Sequence, residues 1–248
     1  MRKLFVLLTA LALSAAFAQL PDLEGRVLQI GSDTTYPPME TVDEDGNVVG
    51  FDVDLMNLLC ERLNCVAEFV TTAWDGIFVA LSQGQFDMVV SGVTITDERD
   101  LIVDFSDPYL IVSQAVLMRV EDEGLTIEDY QSGDLMLSAQ IGTTNAALAE
   151  ELVGRDNVAL FDIFAAAVLA LQNGDVDGVV IDGTSANAYE QQFAGELVVG
   201  ITGLQSDPLG LVFQEGDSLV DAFNAGLEVI RADGSLDALV AAYFSPAD

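Results

Sequence analysis

The chain has 248 residues, 41 of them acidic against 8 basic, no histidine, and a net charge of −33. That balance leaves no basic stripe for phosphate, which excludes nucleic acid and anionic membrane surfaces as partners. Without histidine, Ser-His-Asp and Cys-His catalysis and histidine metal sites are excluded, and two cysteines cannot make a four-thiolate zinc site.

In chain order, Met1-Arg2-Lys3 precedes an uncharged apolar run over 4–18 that ends in Ala16-Phe17-Ala18. A basic start, an apolar middle and a small-x-small end predict a cleaved secretory signal peptide over 1–18, and hence a periplasmic or extracellular protein. The run is shorter than the roughly 20 residues a membrane-spanning helix needs, and Gln19-Leu20-Pro21-Asp22 interrupts it. Residue 19 is not cysteine, so no thiol is available there for a lipid anchor. Loss of Arg2 and of Lys3, the only lysine, takes the net charge from −33 to −35. The acids are spread along the chain, which favours solubility at the cost of self-repulsion.

Hydrophobic patterning then predicts a strand over 27–31, a loop over 32–41 carrying Tyr36-Pro37-Pro38, and a turn at Asp43-Glu44-Asp45-Gly46-Asn47. An extended stretch over 48–51 leads to a helix over 52–63, whose apolar residues 55, 58, 59 and 63 share one face. A strand over 66–70, a helix over 75–83 and a strand over 86–90 follow. This alternation argues for a mostly parallel sheet flanked by helices. The pattern restarts with an extended segment over 110–119, a strand end at Gln140-Ile141-Gly142, a helix over 145–153, a strand over 158–161, an Ala-rich helix over 163–172 and a strand over 178–181. Residues 82–90 and 171–180 are similar helix–Gly–strand junctions, which suggests two related α/β halves. Extended structure over 209–213 and a helical region over 218–244, broken at Gly234, complete the chain. Cys60 and Cys65, five residues apart in an exported chain, permit a disulfide.

Five motifs are more specific. They are Asp33-Thr34-Thr35-Tyr36-Pro37-Pro38-Met39-Glu40, Gly50-Phe51-Asp52-Val53-Asp54-Leu55, Trp74-Asp75-Gly76-Ile77, Ser91-Gly92-Val93-Thr94-Ile95-Thr96-Asp97-Glu98-Arg99 and Val103-Asp104-Phe105-Ser106-Asp107-Pro108-Tyr109. In this order and spacing the set resembles the polar amino-acid-binding family of bacterial extracellular solute-binding proteins, the receptors of ABC importers, over about 25–244. The resemblance implies an α/β, two-lobed Venus-flytrap fold. Lobe 1 is then expected over 25–110 and 212–248, lobe 2 over 115–206, and the hinge at 111–114 and 207–211.

The same resemblance and the chemistry of an amino acid suggest the site. The guanidinium fork of Arg99 suits a carboxylate bidentately, with Thr94, Thr143 and Thr144 completing its shell at a helix start; plain N-capping is the competing role for Thr143 and Thr144. Asp182, just beyond a strand where open α/β sheets place ligands, is expected to hold the ammonium, helped by Ser91 or the carbonyl of Gly92. Position 92 is serine in many members of the family, so a hydroxyl contact is lost here. Tyr36 and Trp74 are expected to flank the ligand side chain, and Asp33 to meet its far end. Glu40 and Asp75 are weaker candidates for that far end, because both read more readily as solvated loop acids. Arg119 and Arg155 fall outside the motifs, so a second pocket cation for an acidic ligand is lacking. A cationic or amide ligand is therefore expected: arginine, lysine, ornithine, histidine or glutamine. The expected partners are that amino acid and a membrane permease, with no cofactor, no metal and a monomeric state. The reading is of a non-enzyme; a cyclohexadienyl-dehydratase-like enzyme on the same fold and a ligand-sensing subunit for a separate receptor are the alternatives.

Overall fold

The computed structural model describes residues 20–244. The signal peptide expected over 1–18 and the last four residues lie outside them. Nine elements come first: β1 (Arg26–Ser32), β2 (Thr35–Tyr36), β3 (Glu40–Val42), β4 (Val48–Val49), α1 (Phe51–Leu63), β5 (Cys65–Thr71), α2 (Ile77–Ser82), β6 (Met88–Val89) and β7 (Asp104–Phe105). The middle of the chain supplies β8 (Leu110–Arg119), α3 (Ile127–Gln131), β9 (Leu137–Gln140), α4 (Thr144–Val153), β10 (Val158–Phe161), α5 (Phe164–Asn173), β11 (Gly178–Asp182), α6 (Gly183–Gln192) and β12 (Leu197–Ile201). The chain returns through β13 (Ser206–Leu209) and β14 (Val212–Phe213) to α7 (Leu219–Ala232) and α8 (Ser235–Phe244).

These elements build two α/β lobes. The first sheet has the order β5-β1-β6-β14-β7, and the second β10-β9-β11-β8-β12 with β13 on β8. Each has a parallel half, β5-β1-β6 and β10-β9-β11, as the helix–strand alternation predicts. The other half of each sheet is antiparallel, because β14 and β8 belong to the segments that cross between lobes and enter against the strand direction. The two crossings pair with each other, Leu110 opposite Leu209 and Ser113 opposite Ser206.

Local chemistry explains the elements around the cleft. The buried face of α1 carries Phe51, Leu55, Met56, Leu59 and Leu63, and each fully buried side chain of this size contributes about 1.5–3 kcal/mol. That face packs with Leu28 and Ile30 of β1 and with Phe223, Leu227 and Ile230 of α7. Close approach of α1 and α7 is set by Gly226, where a Cβ would meet Leu59 and Leu63 at 3.2 Å. The last turn of α1 is tied to β5 by a Cys60–Cys65 disulfide across the left-handed Asn64 cap. The two junctions that looked alike in sequence are alike in structure. Gly84 and Gly174 both take positive φ, of 72° and 77°, before the chain enters β6 and β11. Among the described residues, no helix is long and apolar enough to cross a membrane.

Candidate functional site

The cleft lies at the carboxyl ends of the central strands, where an open α/β sheet exposes loops and helix starts. Asp33 follows β1, Ser91 and Gly92 follow β6, Thr143 and Thr144 follow β9, and Asp182 ends β11. The ten residues expected to contact the ligand line one cavity. Asp33, Tyr36, Trp74, Ser91, Gly92, Thr94 and Arg99 come from the first lobe, and Thr143, Thr144 and Asp182 from the second. Gln140, Asn145 and Phe164 also line it, and sequence reasoning missed them. Two of these neighbour the Gly142-Thr143-Thr144 motif, and Phe164 opens α5 after a strand end, so strand-end position is the signal that would have found them.

Arg99 lines the cavity from the first lobe. Its Nη1 donates to the Thr94 carbonyl at 2.9 Å, and Nη2 reaches the Gly142 carbonyl of the other lobe at 3.5 Å. The guanidinium carbon stands 5.3 Å from the Trp74 ring centre and 5.4 Å from that of Phe78. Burial lowers its pKa to about 10, still a cation at neutral pH. Among the described residues, no carboxylate comes within 4.0 Å of it. The N-terminus of α4 faces it, and the free N–H groups and dipole of that first turn favour an anion. Thr143 is the N-cap: its Oγ1 accepts from Ala146 N at 3.1 Å and donates to the Gln140 carbonyl at 2.6 Å. The Thr143 hydroxyl is thus occupied with capping, whereas Thr144 Oγ1 stands 3.3 Å from Thr94 Oγ1 across the cleft.

The same wall also carries acceptors. Asp182 is 3% exposed and accepts from Asn145 Nδ2 at 3.0 Å. Burial raises its pKa, opposed by the hydrogen bond from Asn145. The Tyr36 phenol is held well above its usual pKa by burial and by Asp182 beside it, and its ring stacks on Phe164 of the other lobe at 5.1 Å. Asp33 is 4% exposed and accepts from Thr35 Oγ1 and from Gln140 Nε2, each at 2.7 Å. Gln140 Nε2 also donates to the Asp162 carbonyl at 2.8 Å. With Gln140–Asp33, Tyr36–Phe164, Thr94–Thr144 and Arg99–Gly142 all in contact across the cleft, the lobes are closed on each other. Glycine at 92 has a steric reason: φ is +54°, and a Cβ would stand 3.0 Å from the Tyr36 ring.

Two loop acids part company. Asp75 is exposed as expected, but Glu40 is 0% exposed and sits behind Ser91, which donates to it at 2.6 Å. The small β2-β3-β4 sheet folds Glu40 inward, a long-range effect that the polar sequence around it does not signal. Arg119 and Arg155 are remote from the cavity and paired with Asp122 and Asp177, and with Glu150. Among the described residues, no group of three acidic or cysteine side chains converges as metal ligands.

The sequence profile of bacterial extracellular solute-binding proteins, family 3, matches residues 28–246. A probable histidine-binding protein of Neisseria gonorrhoeae is 34% identical over 248 residues, covering 96% of this chain and 92% of the relative. An ancestral arginine-binding protein bound to arginine superposes with a TM-score of 0.83 at 33% identity, covering 90% of this chain and 100% of the other. An ancestral amino acid-binding protein, a precursor of cyclohexadienyl dehydratase, superposes with a TM-score of 0.80 at 34% identity, covering 88% and 95%. With fold, strand-end cleft and sequence in agreement over nearly the whole length, the chain belongs to the bacterial extracellular solute-binding proteins, family 3.

Proposed function

We propose that this protein is the extracytoplasmic binding component of an ABC importer, and that it captures a cationic L-amino acid by closing its lobes. The observation that carries this reading is the charge of the cavity wall. One guanidinium without a carboxylate within 4.0 Å, Arg99, and two buried carboxyls, Asp33 and Asp182, line the same cavity. The ligand carboxylate pairs with Arg99 and the first turn of α4, with Thr94 and Thr144 beside it. The ammonium goes to Asp182 and Ser91. Tyr36 and Trp74 flank the side chain, and its cationic end meets Asp33 and Gln140. With both carboxyls ionised the wall has a net charge of −1, which arginine, lysine or ornithine neutralises. Glutamine leaves it at −1, and glutamate opposes it. The names of the relatives, histidine- and arginine-binding, support the same class.

In this reading lobe 1 comprises 25–110 and 212–248, lobe 2 comprises 115–206, and the hinge is 111–114 with 207–211. Residues 1–18 direct export and are removed, so the protein works in the periplasm or outside the cell as a monomer. It delivers its ligand to a membrane permease and needs neither cofactor nor nucleic acid. Ligand favours closure by its higher affinity for the closed state. In this reading the protein is a binding protein and not an enzyme; that the neighbour described as a precursor of cyclohexadienyl dehydratase is itself named an amino acid-binding protein supports this.

A thermal-shift screen of folded, ligand-free protein against the amino acids and ornithine tests this. At about 100 times its dissociation constant a ligand stabilises the fold by about 2.7 kcal/mol. Arginine, lysine and ornithine are expected to shift melting most, histidine and glutamine less, and glutamate not at all. Absence of a shift with every amino acid overturns the reading.

A further inference from the structure

Behind the cavity wall of the first lobe lie two acids that touch no bulk water. Glu40, on β3, and Asp52, in the first turn of α1, are both 0% exposed. Glu40 Oε1 accepts from Ser91 Oγ at 2.6 Å. Asp52 Oδ2 accepts from Gly92 N at 2.8 Å and from Tyr109 Oη at 3.2 Å. The remaining oxygens, Glu40 Oε2 and Asp52 Oδ1, are buried without a hydrogen-bond donor, and the two acids are held together by the backbone: Asp52 N donates to the Met39 carbonyl at 3.0 Å, and the two carboxyls accept from the consecutive residues Ser91 and Gly92. Among the described residues, no arginine comes within 4.0 Å of either. Two ionised carboxylates, both acceptor-only, are not stable side by side without a cation, whereas one proton between them satisfies both free oxygens.

We propose that Glu40 and Asp52 share one proton and one negative charge, fix Ser91 as an acceptor toward the ammonium of the bound amino acid, and so link capture to pH. The Ser91 O–H is committed to Glu40, and one lone pair takes Asp33 N at 3.0 Å. Only a lone pair is left for the cavity, so the ligand group opposite must be a donor. The start of α1 favours the charge on Asp52 and the proton on Glu40. Burial raises both acids, Glu40 well above the usual carboxyl range and Asp52 to about 6, and the negative charges of Asp52 and Asp33 push Glu40 further. The other titratable groups facing the pair, Tyr36 and Tyr109, are phenols held well up by burial and remain neutral. Above about pH 6 the pair is anionic and favours an ammonium in front of it. As pH falls through that value the pair becomes neutral and affinity falls. Asp182, also raised by burial, pulls in the same direction, so the pH trend of the wild type alone does not assign the effect.

This inference rests on the amino-acid reading, and its test separates the two. Calorimetric titration with L-arginine at pH 8 and pH 5.5 compares wild type, Glu40→Gln, Asp52→Asn and the double variant. Each single variant leaves one carboxyl beside an amide donor, so each is expected to weaken binding at pH 8 about threefold. The double variant removes the charge and is expected to weaken it about thirtyfold or more, beyond the product of the singles, with a smaller loss on acidification. Infrared spectra at pH 8 are expected to contain a protonated-carboxyl stretch that both single variants lose. A double variant equal to the product of the singles, or a stretch that survives in both singles, overturns the proposal. The infrared result decides it even if the double variant does not fold. A wild type with the stretch that binds no amino acid at either pH overturns the functional reading instead.

Discussion

Arg99 and Arg119 belong to different lobes and have opposite surroundings. Arg119, at the end of β8, donates to the Leu171 and Val176 carbonyls at 3.1 and 2.7 Å and pairs with Asp122 at 2.7 Å and Asp177 at 3.1 Å. Tyr130 and Met136 N are tied to the same Asp177, so this corner of the second lobe is closed on itself. Arg99 has two carbonyls, two aromatic rings and no carboxylate. Among the described residues of a chain with 41 acids, Arg99 is a half-buried arginine that no carboxylate contacts within 4.0 Å, although Asp182, Asp207 and Glu98 act on it from further away. Burying a cation costs several kcal/mol unless an anion is supplied. At Arg119 the protein supplies it, and the result is structure. At Arg99 no contacting side chain supplies it, and the proposed binding of a ligand carboxylate rests on that difference.

Substitutions can break this contrast, and the largest effect is expected at Arg99. Arg99→Ala should weaken arginine binding about 100-fold or more by calorimetry, the cost of truncating one partner of a buried charge pair, while the melting temperature of the unliganded protein barely moves. Arg119→Met should do the reverse. Loss of its charged hydrogen bonds should cost about 2–3 kcal/mol in denaturant unfolding, with the dissociation constant within twofold. If the two variants behave alike, the contrast is wrong.

Acidification sharpens the contrast, because stability and affinity should move in opposite directions. Asp52 is raised by burial to about 6, and Asp182 is raised as well. A carboxyl whose folded pKa is raised contributes stability below its unfolded pKa, and loses it as pH rises through the folded one. Relief of repulsion in a chain of net charge −33 acts in the same direction. The unliganded protein should therefore melt at a higher temperature at pH 5 than at pH 7.5, and bind arginine less tightly there. The smallest effect is expected for Gly92→Ala. A Cβ at φ +54°, 3.0 Å from Tyr36, should cost about 1 kcal/mol of stability and weaken binding a few-fold, as measured by melting and titration.

Much of the fold was legible because its signals are local. The apolar face of α1, the Gly84 and Gly174 junctions and the extended segment that became β8 were all placed from periodicity and turn chemistry. Other elements were not legible. The helix α6, Gly-Thr-Ser-Ala-Asn-Ala-Tyr-Glu-Gln-Gln, has little apolar periodicity and forms where Asp182 ends β11. The site divides the same way. Arg99, Asp182 and the threonines stand in short motifs. Gln140 gains its role by meeting Asp33, 107 residues away in sequence. Glu40 reads as a loop acid until β2, β3 and β4 fold it beneath Ser91.

The sequence by itself determined the chemistry available to this protein: two α/β halves, an acidic chain without histidine, and one arginine following the Thr94-Ile95-Thr96 turn. Tertiary structure alone decided which charges are out of water and which stand beside each other. Burial and proximity belong to the neighbours that distant segments bring together, and they, more than residue identity, determine whether an acid is solvated, pairs with a cation or shares a proton with another acid.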